Sequence, residues 1–414
     1  MNRSPLIVIF TTVFIDLVGF GIVIPVLPFY AEGTAFNATP RMVGLLFASY
    51  SIMQLIFSPV LGSLSDKYGR RPVLLLSIIG TGIGFLILGL AKTVLMLFAG
   101  RILDGITGGN ISTAQAYIAD ITTKENRAKG MGLIGAAFGL GFIFGPAIGG
   151  ILSQWGIHVP FFFAAALCFA NAVLLYFRLP ETVTPDHPAK NLAAGGRSWR
   201  QVAQSLKQPR LSFVLIIYFL FIVAFSIMTT SFSLYTMFRF GYDAQHTGYL
   251  FAYVGLIAVI IQGGLIGRLV KRFGELPLVI VGAFCFAISL FAVPFVGPAA
   301  GGLAALLIGG GVFSMGNSLA TPALTSLASK SVGPEQQGVV LGVTQSTASL
   351  ARAVGPSLAA LLISSSIAHL GADGLPHYMS DQSLFVTFWT GAAIMFVAFS
   401  LAFYYKMQPR INTN

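Results

Sequence analysis

Gly62-Ser-Leu-Ser-Asp66-Lys-Tyr-Gly69-Arg70-Arg71-Pro72 is a short polar stretch between two long apolar runs, and its spacing decides how the chain is read. Its glycines permit a tight turn with φ > 0 and close approach of helices. Asp66 can face a helix N-terminus, where a carboxylate is favoured. Arg70 can pair with a carboxylate at a neighbouring helix end, and Asp120 is the natural candidate. Gly62, Asp66, Gly69, Arg70 and Asp120 then form a gating clasp that holds one state of a helical bundle and breaks in another. The plain alternative is a solvated loop carrying basic charge.

The flanking runs are long enough to cross a bilayer, which needs roughly 20 mostly apolar residues per helix. Such segments lie near 6–30, 42–64, 73–91, 94–116, 130–152 and 160–178, and again near 212–238, 247–267, 278–296, 302–327, 338–364 and 384–405. Composition agrees. The chain is 56% hydrophobic and 9% charged, with a mean hydropathy of +0.83, whereas soluble domains carry roughly 25% charged residues. Alternating ten-residue patterns are absent, which argues against a β-barrel. The expected fold is an all-α polytopic membrane protein of twelve transmembrane helices in two six-helix pseudo-repeats.

The net charge of +11 could suggest nucleic acid, but its distribution argues otherwise. With the N-terminus inside and twelve alternating spans, only Arg41, Lys92 and Arg239 of the 24 Lys and Arg fall outside. Arg101 and Arg352 lie within spans and the rest fall inside, a positive-inside bias that places both termini in the cytoplasm. A bacterial inner membrane, a lipid partner, no nucleic acid and a monomer are the expectations. Cys168 and Cys285 both fall in spans, so neither a disulfide framework nor a metal site is implied. The first run carries Asp16 and no small-residue cleavage site, and reads as an uncleaved span.

Residues 180–210 break the apolar pattern. They are polar and rich in Pro and Gly, and read as a cytoplasmic linker, with a short amphipathic helix expected over 199–206. This divides the chain into bundles at 1–179 and 211–414. The two resemble each other. GSLSDKYGRRP (62–72) aligns with GRLVKRFGELP (267–277) at an offset of 205, and GPAIGG (145–150) with GPSLAA (355–360) at 210. TKENRAKGMG (123–132) matches SVGPEQQGVVLG (331–342) loosely. Such repeats are typical of secondary transporters, whose halves rock about a central site.

A charge at mid-bilayer costs at least roughly 2.5–3.5 kcal/mol on insertion scales, so it needs a partner or a task. Asp16 lies roughly 14 Å into the first span at about 1.5 Å per residue, near the midplane. A carboxyl held between dry surroundings, which favour its neutral form, and a cation, which favours the anion, can load and unload a proton. Arg101 and Asp104 are three residues apart on one helix. Asp16 is therefore the leading proton carrier, tuned by Arg101, with Asp104 as an alternative; a static buried network is the competing reading. Arg352 is the one ionisable residue deep in the second half, and Gln345, Ser349 and Arg352 form a polar stripe. It can bind an anionic substrate group, act as counter-charge to Asp16, or brace its own helix. Gln54, Asn110, Gln115, Gln262, Asn317, Tyr218 and Phe225 complete the candidate substrate contacts, although an aromatic stripe is more often packing. Gly135, Gly139, Gly145 and Gly149 recur at small-residue spacing, and Pro146 can kink its span, so Gly145 and Pro146 serve either a hinge or close packing.

Together these stretches resemble the major facilitator superfamily, within it the twelve-span drug/proton antiporters, and most of all the bacterial tetracycline/proton antiporters. Besides the 62–72 loop, Asp16-Leu-Val-Gly19 with Pro25-Val-Leu-Pro28 resembles the family's first-span signature. Arg101-Ile-Leu-Asp104-Gly105-Ile-Thr-Gly108-Gly109 resembles its fourth-span motif, and Gly135 to Gly150 the fifth-span motif of exporters. The resemblance implies alternating access, and from the exporter motif a hinge that limits proton leak. Where tetracycline antiporters typically carry a third-span acid and an eighth-span histidine, this chain reads Gly82-Ile83-Gly84-Phe85 and Leu256-Ile257-Ala258-Val259.

No G-x-x-x-x-G-K-[ST] loop is present, no nucleophile–base or metal constellation points to an enzyme, and no cofactor is implied. Proton-driven export of a small amphipathic molecule is the expected function. A uniporter or importer of a metabolite, lipid or sugar is the alternative, and a non-transporting receptor or scaffold a remote one.

Overall fold

Apolar runs in lipid must satisfy every backbone group internally, which leaves helices as the solution for this sequence. The computed structural model describes residues 3–33, 36, 38–122, 124–182, 208–332, 337–363, 369–370, 376–377 and 380–407. Among them eleven helices are long and apolar enough to span. The 26-residue helix Gln337–Leu362 takes the place of the eleventh of twelve spans. The expected helix at 199–206 and most of the linker, 183–207, lie outside the described residues. β-structure among the described residues is a two-residue pairing, His369–Leu370 with Pro376–His377, and isolated bridges from Gly297 to Ala300 and Gly301.

In order the spans are Pro5–Glu32, Pro40–Tyr68, Arg70–Gly89, Val94–Ile121, Leu133–Ser153 and Val159–Arg178, then Pro209–Phe240, Ala244–Phe273, Glu275–Phe295 and Gly302–Lys330, then Gln337–Leu362 and Asp381–Met407. Their ends follow local chemistry. Thr39 caps the second span by accepting from the Met42 N–H at 3.3 Å, with Pro40 at the first turn. Gly69 (φ +102°) and Gly274 (φ +78°) end the second and eighth spans in a conformation open to glycine.

Two spans are irregular. The fourth, expected as one run over 94–116, is two helices, Val94–Thr107 and Asn110–Ile121, broken at Gly108–Gly109. The break follows from close packing on the second span. A Cβ at Gly105 would fall 2.5 Å from the Tyr50 carbonyl oxygen, and one at Gly109 would fall 2.8 Å from Ser58 Cα. The eighth span contains a wide π-helical turn at Ile260–Leu265, a feature often found at functional sites.

The neighbour pattern repeats. In the first six spans the first packs on the fifth, the second on the fourth and the third on the sixth; in the second six the seventh packs on the eleventh, the eighth on the tenth and the ninth on the twelfth. Between the halves the fifth meets the eighth and the second meets the eleventh. These contacts are tightest away from the basic loops. A Cβ at Gly44 would fall 2.6 Å from Ala360 Cβ, and one at Gly248 would fall 2.6 Å from Gly150 Cα. Ser233 Oγ also donates across to the Ile24 carbonyl at 3.2 Å. Towards the basic loops the halves part: nothing described lies within 4 Å of a Cβ built at Gly135, Gly263, Gly264 or Gly267.

Candidate functional site

Between the halves lies a cavity of about 480 Å³, within the range of small-molecule sites. Its lining runs from Ile24 and Met228 to Gln115, Ile134 and Thr325, so it extends towards the basic-loop end. The walls are mainly aromatic and aliphatic. Four ring contacts form a continuous series: Tyr50–Phe20 at 5.4 Å, Phe20–Phe142 at 5.7 Å, Phe142–Phe225 at 5.6 Å and Phe225–Phe313 at 6.0 Å between centroids. The Phe142–Phe225 contact joins the two halves.

Polar groups interrupt this wall. Gln262 Nε2 donates to Ser318 Oγ at 3.3 Å and Thr321 Oγ1 donates to Asn317 Oδ1 at 3.0 Å. Arg352 Nη2 donates to Ser349 Oγ at 3.3 Å, and the tyrosines Tyr218 and Tyr50 lie within its electrostatic reach. Among the described lining residues, Arg352 is the one formal charge.

A second polar group sits behind the aromatic wall, inside the first half. Arg101 is wholly buried. Its Nη1 donates to Asp104 Oδ2 at 2.8 Å, and its guanidinium lies 4.2 Å from the centroid of the Tyr50 ring. Arg101 Nε and Nη2 have no hydrogen-bond partner among the described residues; the electron-rich ring face supplies part of the compensation. Gln54 Nε2 donates to the Tyr50 hydroxyl and to the Gly108 carbonyl, both at 2.9 Å. The second contact satisfies an acceptor at the fourth-span break. Asp16 Oδ1 accepts from Asn110 Nδ2 at 3.3 Å. Asp104 thus has a cation at contact distance, and the contact made by Asp16 is to a neutral amide.

The third group is the clasp. Arg70 Nη1 meets Asp66 Oδ1 at 2.5 Å and Arg70 Nε meets Asp120 Oδ2 at 3.1 Å, with the Arg70 side chain 4% exposed. Ser65 Oγ accepts from Arg70 Nη1 at 2.7 Å. The backbone N–H groups of Arg70 and Arg71 donate to the Glu181 carboxylate at 2.9 and 3.0 Å. Thr182 Oγ1 donates to Asp120 Oδ2 at 3.1 Å. Gly69 belongs here because a Cβ would fall 2.5 Å from Glu181 Oε2. At the matching place in the second half, Glu275 pairs with Lys330 and accepts from Ser326 Oγ at 3.0 Å.

These positions sort the sequence expectations. Gln115, Pro146, Tyr218, Phe225, Gln262, Asn317, Gln345 and Arg352 line the cavity. Gln54 and Asn110 do not; they belong to the buried cluster, because close helix packing turns them towards Tyr50 and Asp16. Arg101 makes its ion pair with Asp104 rather than with Asp16. Gly145 packs on the first span, where a Cβ would fall 2.6 Å from Gly21 Cα. Asp66, Arg70 and Asp120 meet, Gly69 lies against Glu181 beside them, and the Gly62 carbonyl accepts from Ser65 Oγ at 2.7 Å. Sequence reasoning missed Tyr50, Phe20, Phe142, Phe313 and Glu181. Tyr50 stands four residues before Gln54, one helical turn away, which was the available signal.

Comparison with known proteins gives a consistent result. The family profile described as "Major Facilitator Superfamily" matches residues 9–356. The tetracycline resistance protein, class H, of Pasteurella multocida is 33% identical over 380 residues, covering 91% of this chain and 92% of that protein. Multidrug resistance protein 2 of Bacillus subtilis (strain 168) is 32% identical over 364 residues, covering 87% and 89%. The crystal structure of the human organic anion transporter MFSD10 (TETRAN) superposes with a TM-score of 0.68 at 24% identity, covering 97% and 99%; that likeness bears on the fold alone.

Proposed function

The chain belongs to the Major Facilitator Superfamily, and from that premise we propose a proton-coupled exporter of small amphipathic organic molecules that works by alternating access. The observation that carries this reading is a substrate-sized cavity between the halves with the Asp16–Asn110 and Arg101–Asp104 contacts directly behind its wall. Relatives that are tetracycline and multidrug resistance proteins support the direction of transport. The bundles 1–179 and 211–414 rock about the cavity, joined by the linker 180–210. The basic loops face the cytoplasm of a bacterial cell, so both termini are cytoplasmic, the membrane is the inner one, and the cavity described here stands open to its substrate. The protein works as a monomer.

Asp16 is the proton carrier in this scheme. Its contact is a neutral amide, so taking up a proton breaks no ion pair, whereas protonating Asp104 would strand the buried Arg101 guanidinium. Neutral Asp16 loosens the first span from Asn110, and Phe20, one turn further along that span, carries the change to the cavity wall. One proton moving through 100 mV supplies about 2.3 kcal/mol, enough to bias export roughly fifty-fold.

Proteoliposomes holding a pH-sensitive dye test this. Substrate addition should drive proton movement with the parent protein and none with Asp16→Asn, which should still bind substrate. Undiminished coupling in Asp16→Asn would remove the carrier role.

A further inference from the structure

We propose that the cavity selects aromatic anions: a carboxylate or sulfonate held at Arg352, with its ring seated among Phe20, Phe142, Phe225 and Phe313. The inference rests on the transport reading in one respect, that this cavity is the substrate site.

Charge is the first support. Arg352 is the one formal charge among the described lining residues. Asp16, Asp104 and Arg101 stand behind the wall, and Arg101 already matches Asp104. In surroundings of low dielectric an anion placed at Arg352 is held far more strongly than in water. A guanidinium also offers a planar fork that fits a carboxylate through two parallel N–H donors. Gln345, on the same helix, and Tyr218 lie in the lining with it and carry further donors.

Shape is the second support. Phe20, Phe142, Phe225 and Phe313 stand 5.6–6.0 Å apart in sequence along the wall, in offset and edge-on arrangements that favour another ring. The series bridges the halves at Phe142–Phe225, so an inserted ring touches both. Phe225 and Phe313 share the cavity lining with Arg352, which puts the anion site and the ring series in one chamber.

The mouth is the third. The cavity opens towards the end where Arg268, Lys271 and Arg272 are exposed, and a basic rim raises the local concentration of anions.

Calorimetric titration of the purified full chain in detergent micelles with 1-naphthoate, its neutral amide and 1-naphthylmethylammonium reads the selectivity. Naphthoate should bind at least tenfold more tightly than either relative. Arg352→Gln should abolish that preference and Arg352→Lys should keep most of it. Equal or tighter binding of the amide or the cation, or no naphthoate binding up to millimolar concentration, would overturn the inference without any use of the variants. Proton movement on naphthoate addition to proteoliposomes is measured alongside. Tight naphthoate binding with no proton movement preserves anion selection and sinks proton coupling; proton movement driven by the amide or cation alone preserves coupling and sinks anion selection.

Discussion

Equivalent places in the two halves hold ion pairs of opposite polarity. In the first half Arg70, the first residue of the third span, binds Asp120 near the end of the fourth. In the second half Glu275, the first residue of the ninth span, binds Lys330 at the end of the tenth. Each follows a glycine with positive φ, Gly69 or Gly274, and the partners are 205 and 210 residues apart, the offsets of the repeat. The duplicated backbone fixed where a cross-link is needed and left its sign free. The signs have different consequences. An acidic residue at a helix start is favoured by the helix dipole and a basic one is opposed. Glu275 therefore suits its own position. Arg70 does not, and Glu181 supplies the missing carboxylate by accepting from the Arg70 and Arg71 N–H groups. The first clasp is thereby tied to the segment leading into the linker, while the second is complete within its own bundle.

The sharpest way to break this comparison is to delete the two basic partners. Arg70→Ala leaves Asp66 and Asp120 facing each other with their shared cation gone. The carboxylates left behind are 13% and 29% exposed, so the loss falls below the about 3–5 kcal/mol of a fully buried pair but above that of an exposed one, and thermal unfolding in detergent should fall clearly and transport with it. Glu181→Gln should follow at about 1 kcal/mol, the usual scale of a lost helix cap, and read as a modest fall in the same melt. It should also leave the second half untouched in hydrogen exchange. Lys330→Ala should be smallest, under about 1 kcal/mol, since the Lys330 side chain is 65% exposed and exposed pairs contribute little. A Lys330→Ala loss as large as that of Arg70→Ala would mean the two clasps are equivalent after all.

The first clasp was legible in the sequence because all its parts but one follow from spacing: glycines for the turn, Asp66 one turn before Arg70, and Asp120 at the next helix end. Glu181 was not legible, since it lies 111 residues from Arg70 in a stretch read as linker. The second clasp hid for another reason. Lys330 read as one of many basic residues at the inner face, and nothing local signals that the end of the tenth span meets the start of the ninth. The cavity was half legible. Polar residues at helical spacing marked Gln115, Gln262, Asn317, Gln345 and Arg352, all of which line the cavity. Gln54 and Asn110 carried the same signal but face inwards, because Gly105 and Gly109 let the fourth span press against the second. That intimacy rotates both amides away from the cavity and breaks the span.

The closed end of the molecule joins the halves through Gly44 against Ala360 and Gly150 against Gly248. These are nearly naked main-chain surfaces. Interlocked bulky side chains would have to unpack and change rotamer before they could separate, whereas small residues that bring two backbones close leave few rotamers to change. If that end opens as alternating access requires, separation there asks for little side-chain rearrangement, and the rate of opening is set elsewhere in the molecule.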